Sequence, residues 1–240
     1  MIEGVLLMRK VSLFIFILTI SLTLMGSSQA AMGGIQLKDY SSHSLLKKSL
    51  VLNSPSILGS MILLPTDSFD EQEAAQIISR VDNLPFSLLS KAGEENIKLK
   101  LFIGRLTDNP TAAHLEGMIP RGYKGGTTWD DVPGIGGAKT VLVKIGFSEK
   151  GNGHSSVNLE LHELAHSIDR YVFDGMRNNQ RFLKIWKKEK EKIFPDQDYF
   201  LTFPEEYFAE TFAMYFLGGD SRKLLKMKAP QTYHFIKSLK

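Results

Sequence analysis

Apolar residues recur in two rhythms along this chain, and the switch between them orders the elements it predicts. Met61–Leu64 is a short apolar run closed by Pro65, a strand signature. From Asp70 to Val81, Ala74, Ala75, Ile77, Ile78 and Val81 fall on one helical face behind an acidic start, and Asn83 and Pro85 close it. Ile97–Ile103 alternates apolar and basic residues, which predicts a strand with one wet face. Arg121–Gly137 has no rhythm, and its glycines predict a flexible loop. Thr140–Phe147 is a second strand, and its edge is a candidate for pairing with an extended ligand. The helical rhythm returns over Ser156–Phe173, where Val157, Leu161, Leu164, Ala165, Ile168 and Tyr171 follow a 3.6 period and Gly175 supplies a stop. Gln180–Phe194 and Pro204–Leu217 predict two further helices. Strands precede the long helices and helices outnumber strands. The expected class is α+β, a small mixed sheet packed on helices.

The 240 residues, 43% apolar and 23% charged, suit one globular domain behind an N-terminal segment. That segment places Arg9 and Lys10 before the apolar run Val11–Met25, followed by Gly26, Ser27, Ser28, Gln29 and Ala30. A basic start, a short apolar run and a small-residue Ser-x-Ala site predict a signal peptide over residues 1–30, cleaved after Ala30. A retained anchor is the alternative, but the run falls short of the ~20 residues that span a bilayer. Met8 offers a second start codon. Residues 31–60 read as an N-terminal arm or first helix, and 61–240 as the main domain. Secretion, a monomer and no lasting membrane anchor are expected.

Charge and cysteine content narrow the chemistry. A net charge of +3 without a basic patch or reading motif gives nucleic acid no footing as a partner. With no cysteine, a disulfide framework, a thiolate zinc site and a thiol nucleophile are excluded. The Lys187–Lys192 run mixes signs and reads as a solvated helix face.

His162-Glu163-Leu164-Ala165-His166 is a His-Glu-x-x-His motif inside the Ser156–Phe173 helix. Residues four apart share a helix face, so both imidazoles can reach one tetrahedral zinc ion. Glu163 is rotated about 100° from His162, near enough to take a proton from water at the metal without ligating it. The plain alternative is an amphipathic helix with two half-exposed histidines. A catalytic zinc needs a third protein ligand and one open position. No histidine follows at the metzincin spacing. Pro204-Glu205-Glu206-Tyr207-Phe208-Ala209-Glu210 supplies carboxylates four apart on one helix, one able to ligate zinc and the next to hydrogen-bond a ligand histidine. His154 reads as a surface loop residue and not a fourth ligand. His43, His114 and His234 have no companions.

Together, LHELAHSID and the later Tyr199-x6-Glu206-x-Phe208-Ala209-Glu210-x-Phe212 resemble the catalytic domain of anthrax toxin lethal factor and its smaller secreted relatives, the Pro-Pro endopeptidases. The resemblance implies a zincin-like fold and one Zn2+ per chain on His162, His166 and Glu206. It implies Glu163 as general base and Tyr199 as hydroxyl donor to the substrate carbonyl. Glu210 matches the family's second acid. Trp129, in Thr128–Gly134, is equally a substrate contact or ordinary loop packing. The family pattern also pairs a lysine two residues before this tryptophan, and an arginine before the second zinc histidine, with the acid preceding the zinc glutamate. Those positions here are Thr127, Ala165 and Glu205. Only the acid is kept, which assigns Glu205 to the substrate side and leaves specificity open. The implied activity is a secreted zinc metalloendopeptidase acting on peptides or proteins at Pro-Pro sites. The rival is a non-catalytic lethal-factor-like domain docking on a carrier or surface protein.

Overall fold

The computed structural model describes residues 33–121 and 126–239. The signal-peptide expectation therefore lies outside the described residues. A five-stranded sheet runs in the order β1-β2-β3-β5-β4. Its strands are β1 (Ile35–Gln36), β2 (Ile62–Leu64), β3 (Lys98–Phe102), β4 (Gly134–Ile135) and β5 (Thr140–Lys144). β2, β3 and β5 are parallel, and the short β1 and β4 close the two edges antiparallel. With helices beside it, this is the expected α+β class.

Parallel strands are buried on both faces, which corrects two expectations. β3 has no wet face: Leu99 and Leu101 are fully buried on one side, and Lys100 and Phe102 are buried on the other. Phe102 and Leu142 cover a small second core with Leu106 and Ala112, against which Leu115, Trp129 and Ile135 pack. β5 is not an edge either, because β4 pairs along it through Gly134↔Val143 and Ile135↔Leu142. The free edge belongs to β4.

The helices follow the apolar rhythm with additions. α1 (Leu45–Ser49) and α2 (Pro55–Met61) lead into β2, so Met61 closes a helix instead of opening a strand. Leu37, Leu46 and Leu58 from this segment enter the main core. The arm expected over residues 31–60 is thus built into the domain where it is described. Asp82 fixes it by accepting the Asn53 and Ser54 N–H groups at 2.6 and 2.9 Å. In α3 (Glu71–Asp82), Asp70 caps the start by accepting from Gln72 and Glu73, a cap worth about 1 kcal/mol. Pro85, read as a breaker, also precedes α4 (Phe86–Glu94), which buries Leu88, Leu89 and Ala92.

Helices α5 (Leu159–Val172), α6 (Gln180–Ile193), α7 (Asp198–Thr202), α8 (Pro204–Leu217), α9 (Gly219–Lys228) and α10 (Pro230–Lys237) complete the order. α8 is apolar nearly all round, as a buried helix must be. Tyr207, Phe208 and Phe212 are fully buried, each contributing about 1.5–3 kcal/mol by leaving water. The mixed-sign run on α6 is sorted by burial. Glu189 turns inward and accepts from Gln231 N, Thr232 N and Thr232 Oγ1 at 2.9, 2.8 and 2.8 Å, capping α10. Lys187, Lys188, Glu191 and Lys192 stay exposed.

Candidate active site

α5 crosses α8, and the open cleft beside that crossing, about 1380 Å³, holds the candidate chemistry. Asn158 caps α5 by accepting from Leu161 N at 3.0 Å. The fully buried Glu160 pairs with Arg80 of α3, and Arg80 also donates to Ser148 Oγ at 3.0 Å. Leu161, Leu164, Ala165 and Ile168 turn to the core. His162, Glu163, His166 and Asp169 are left to line the cleft.

Ligand atoms of His162, His166 and Glu206 lie within 4.8 Å of one another. Nε2 of His166 is 3.2 Å from Nε2 of His162 and 3.2 Å from Oε2 of Glu206, and Nε2 of His162 is 3.6 Å from that oxygen. Two imidazole nitrogens and one carboxylate oxygen converging beside a cleft fit zinc, which takes these donors and keeps an open position in catalytic sites. His162 is oriented from behind. Glu210 Oε2 lies 3.0 Å from its Nδ1, and Glu210 Oε1 accepts from Val157 N at 2.9 Å. This leaves Nε2 turned toward His166 and Glu206, free to act as a donor.

The surrounding charge calls for a cation. Burial works against a charged His162, yet hydrogen bonds to Glu206 and Glu210, with Glu163 nearby, push it up to about 10 without a metal. Burial would raise Glu206, but His162 and His166 hold it well below the usual carboxylate range. Burial pushes Asp169 up to about 6 against a hydrogen bond from Met176 N.

Tyr199 stands on α7, across the cleft from α5. The Trp186 indole donates to Phe200 O at 3.1 Å and Lys190 to Leu201 O at 2.5 Å, which ties α7 to α6. Burial and the adjacent Glu206 push the Tyr199 phenol above its ordinary value, so it keeps its proton as a donor.

Trp129 has two sets of neighbours. It packs on the second core and lines the cleft, with its backbone N–H donating to Met118 O at 2.8 Å. Asp130 anchors the turn by accepting from Thr107, Thr128 and Gly117, which hold its carboxyl far below the ordinary range. His154 is a half-buried wall and not a surface residue. Its Nε2 donates to Phe147 O and its Nδ1 accepts from Ser156 Oγ, both at 2.7 Å. Neither nitrogen is left for a metal.

Glu205 is better paired than its sequence neighbours suggest. Thr127 is uncharged and Ala165 is fully buried, yet Arg177 lies 2.6 Å and Arg121 3.6 Å from Glu205 Oε1. Sequence reasoning missed both arginines, since nothing in their spacing links them to an acid tens of residues away.

The glycine-rich segment was expected to be loose. At Gly136 the opposite holds: a Cβ there would stand 2.0 Å from the Glu163 carbonyl oxygen. At Gly134 one would meet Leu159 at 2.9 Å and Glu163 at 3.1 Å. These glycines let the β4 edge lie directly on α5. Gly136→Ala should therefore part strand from helix, costing about 1–3 kcal/mol and lowering Tm by roughly 2–10 °C. Thermal melts with turnover measurements check this, and an unchanged Tm and kcat would contradict the contact.

The chain matches the family model described as anthrax toxin lethal factor, N- and C-terminal domain, over residues 51–239. It is 43% identical over 183 residues to a Pro-Pro endopeptidase of Clostridioides difficile strain 630, covering 76% of this chain and 82% of that protein. A Pro-Pro endopeptidase of Paenibacillus alvei is 40% identical over 185 residues, covering 77% and 85%. The solved structure of the Paenibacillus alvei enzyme superimposes with a TM-score of 0.73 at 39% identity, covering 77% of this chain and 100% of that one.

Proposed function

This chain belongs to the family of the anthrax toxin lethal factor N- and C-terminal domains, and we propose that it is a secreted zinc endopeptidase that cuts proteins at Pro-Pro bonds. The observation that carries this reading is the convergence of His162 Nε2, His166 Nε2 and Glu206 Oε2 beside Glu163 and Tyr199 in one cleft. The Pro-Pro relatives at 43% and 40% identity supply the substrate class. Export rests on the basic, apolar and small-residue order of residues 9–30. Among the described residues no helix is long and apolar enough to cross a membrane.

Zinc, when bound by His162, His166 and Glu206, supplies a Lewis acid that polarises a carbonyl and acidifies water. The chain's own groups do the rest. Glu163 accepts the proton of the attacking water and delivers it to the leaving amine. Tyr199 donates its O–H to the oxyanion that develops on the scissile carbonyl. Glu210 keeps His162 Nδ1 protonated and its ring oriented. The β4 edge takes the substrate as an added extended strand. A Pro-Pro segment is already extended and loses little entropy on binding, while its missing N–H groups leave strand pairing to the flanking residues.

The proposed specificity is tested by mass-spectrometric mapping of cleavage in a peptide library varied on both sides of Pro-Pro. The expected product ends in proline and its partner begins with proline. Efficient cleavage of proline-free peptides, with none at Pro-Pro, would discard the specificity and leave the hydrolase standing. Tyr199→Phe should lower kcat and kcat/KM alike by roughly 10²-fold with zinc content unchanged. A change confined to KM would assign Tyr199 to ground-state binding instead.

A further inference from the structure

We propose that Arg121 is a positioning residue of the catalytic centre, bracing the outer oxygen of Glu206 and the Tyr199 side chain with one guanidinium. The proposal rests on the zinc-peptidase reading above and adds to it a residue that the metal-ligand and proton-transfer roles leave out.

The two oxygens of Glu206 face different partners. Oε2 faces the two imidazoles at 3.2 and 3.6 Å, while Oε1 accepts from Arg121 at 3.0 Å. A glutamate carboxylate turns easily about its terminal torsion. A donor fixed on Oε1 therefore selects which oxygen is presented toward the histidines. The same guanidinium lies 4.0 Å from the Phe203 ring centroid and 5.9 Å from that of Tyr199. Burial works against the charged guanidinium, while a hydrogen bond with Tyr199 and the Glu206 carboxylate favour it. A planar fork can stack on a ring and donate from its edge at once, which an ammonium cannot do.

The brace is itself held. Arg177, on the turn between α5 and α6, pairs with Glu205 Oε1 at 2.6 Å, and Arg121 approaches that oxygen at 3.6 Å. Glu205 and Glu206 open α8, Tyr199 stands on α7, and Arg121 enters the glycine-rich segment. One side chain thus ties three walls of the cleft. The Arg121 side chain is 54% exposed, so its ion pairs are screened and add little to fold stability. Its worth lies in orientation, and that separates the proposal from a structural role.

The test uses the mature protein as Arg121→Met and Arg121→Lys, with zinc affinity measured by chelator competition and kinetics on a Pro-Pro peptide. Arg121→Met should weaken zinc about tenfold and lower kcat about tenfold or more, with KM within about twofold and an unchanged Tm. Arg121→Lys should recover zinc affinity in part, since an ammonium reaches Glu206, without recovering kcat. In a Tyr199→Phe background the kcat loss from Arg121→Met should shrink, because part of that loss runs through Tyr199. Wild-type zinc affinity and kcat in Arg121→Met would overturn the proposal, as would losses that follow a fall in Tm. Wild-type protein that binds zinc but cleaves no peptide would sink the proposed activity instead, with the zinc-affinity ratio still deciding the part of Arg121.

Discussion

Glu163→Gln should bind zinc as the wild type does and lose turnover by roughly 10²–10⁴-fold. Glu163 lines the cleft between the two histidines in sequence, but it is not one of the three residues whose ligand atoms converge. Glutamine keeps the shape of the side chain, so the packing under Gly134 and Gly136 survives. What is lost is the capacity to accept a proton, and that loss falls on kcat while KM changes little. Zinc quantified by elemental analysis, beside steady-state kinetics, separates the outcomes. Retention of more than about a few per cent of activity would remove Glu163 as base.

Removing a donor should act differently. His166→Ala and Glu206→Gln should lose zinc and activity together, because two donors cannot hold the ion as three do. Tight zinc binding by either variant would refute the donor set. The pH dependence of the wild type follows from the same cluster. Without metal, hydrogen bonds to Glu206 and Glu210 outweigh burial and push His162 up to about 10, which favours its protonated form at neutral pH. Zinc must displace that proton, so its apparent affinity should rise about tenfold per pH unit through neutrality and fall on acidification. A flat profile between pH 6 and 9, on the order of the range where this proton matters, would contradict the coupling.

The long helices were legible because their apolar period carried them. Pro204 and Leu217 bound α8 as the sequence spacing predicted, and the His162–His166 interval places both imidazoles at one point. Glu206 was legible only as one of two acids on a helix face, and the resemblance separated it from Glu210. Sheet order was not legible. β4 is two residues long, too short for any alternation to register, yet it takes the edge from β5. Lys98 and Lys100 suggested a wet face on β3 because pattern alone cannot show a strand roofed by a distant segment such as 106–115. Glu205 looked stripped of its cations because Arg121 and Arg177 approach it from other parts of the chain.

The contact of Gly136 with the Glu163 carbonyl also limits how this enzyme can change. Both partners are main chain, so the gap between β4 and α5 is already closed, and any side chain placed at position 136 can only wedge it open. That wall is a fixed gauge. Altered substrate preference has to arise on the facing walls, where Trp129, His154 and Phe203 line the cleft with replaceable groups. Directed evolution confined to those positions should yield new preferences while preserving hydrolysis, whereas libraries spread over 134–136 should return mostly inactive protein. The architecture thus separates a part that sets the reaction from a part free to choose its substrate.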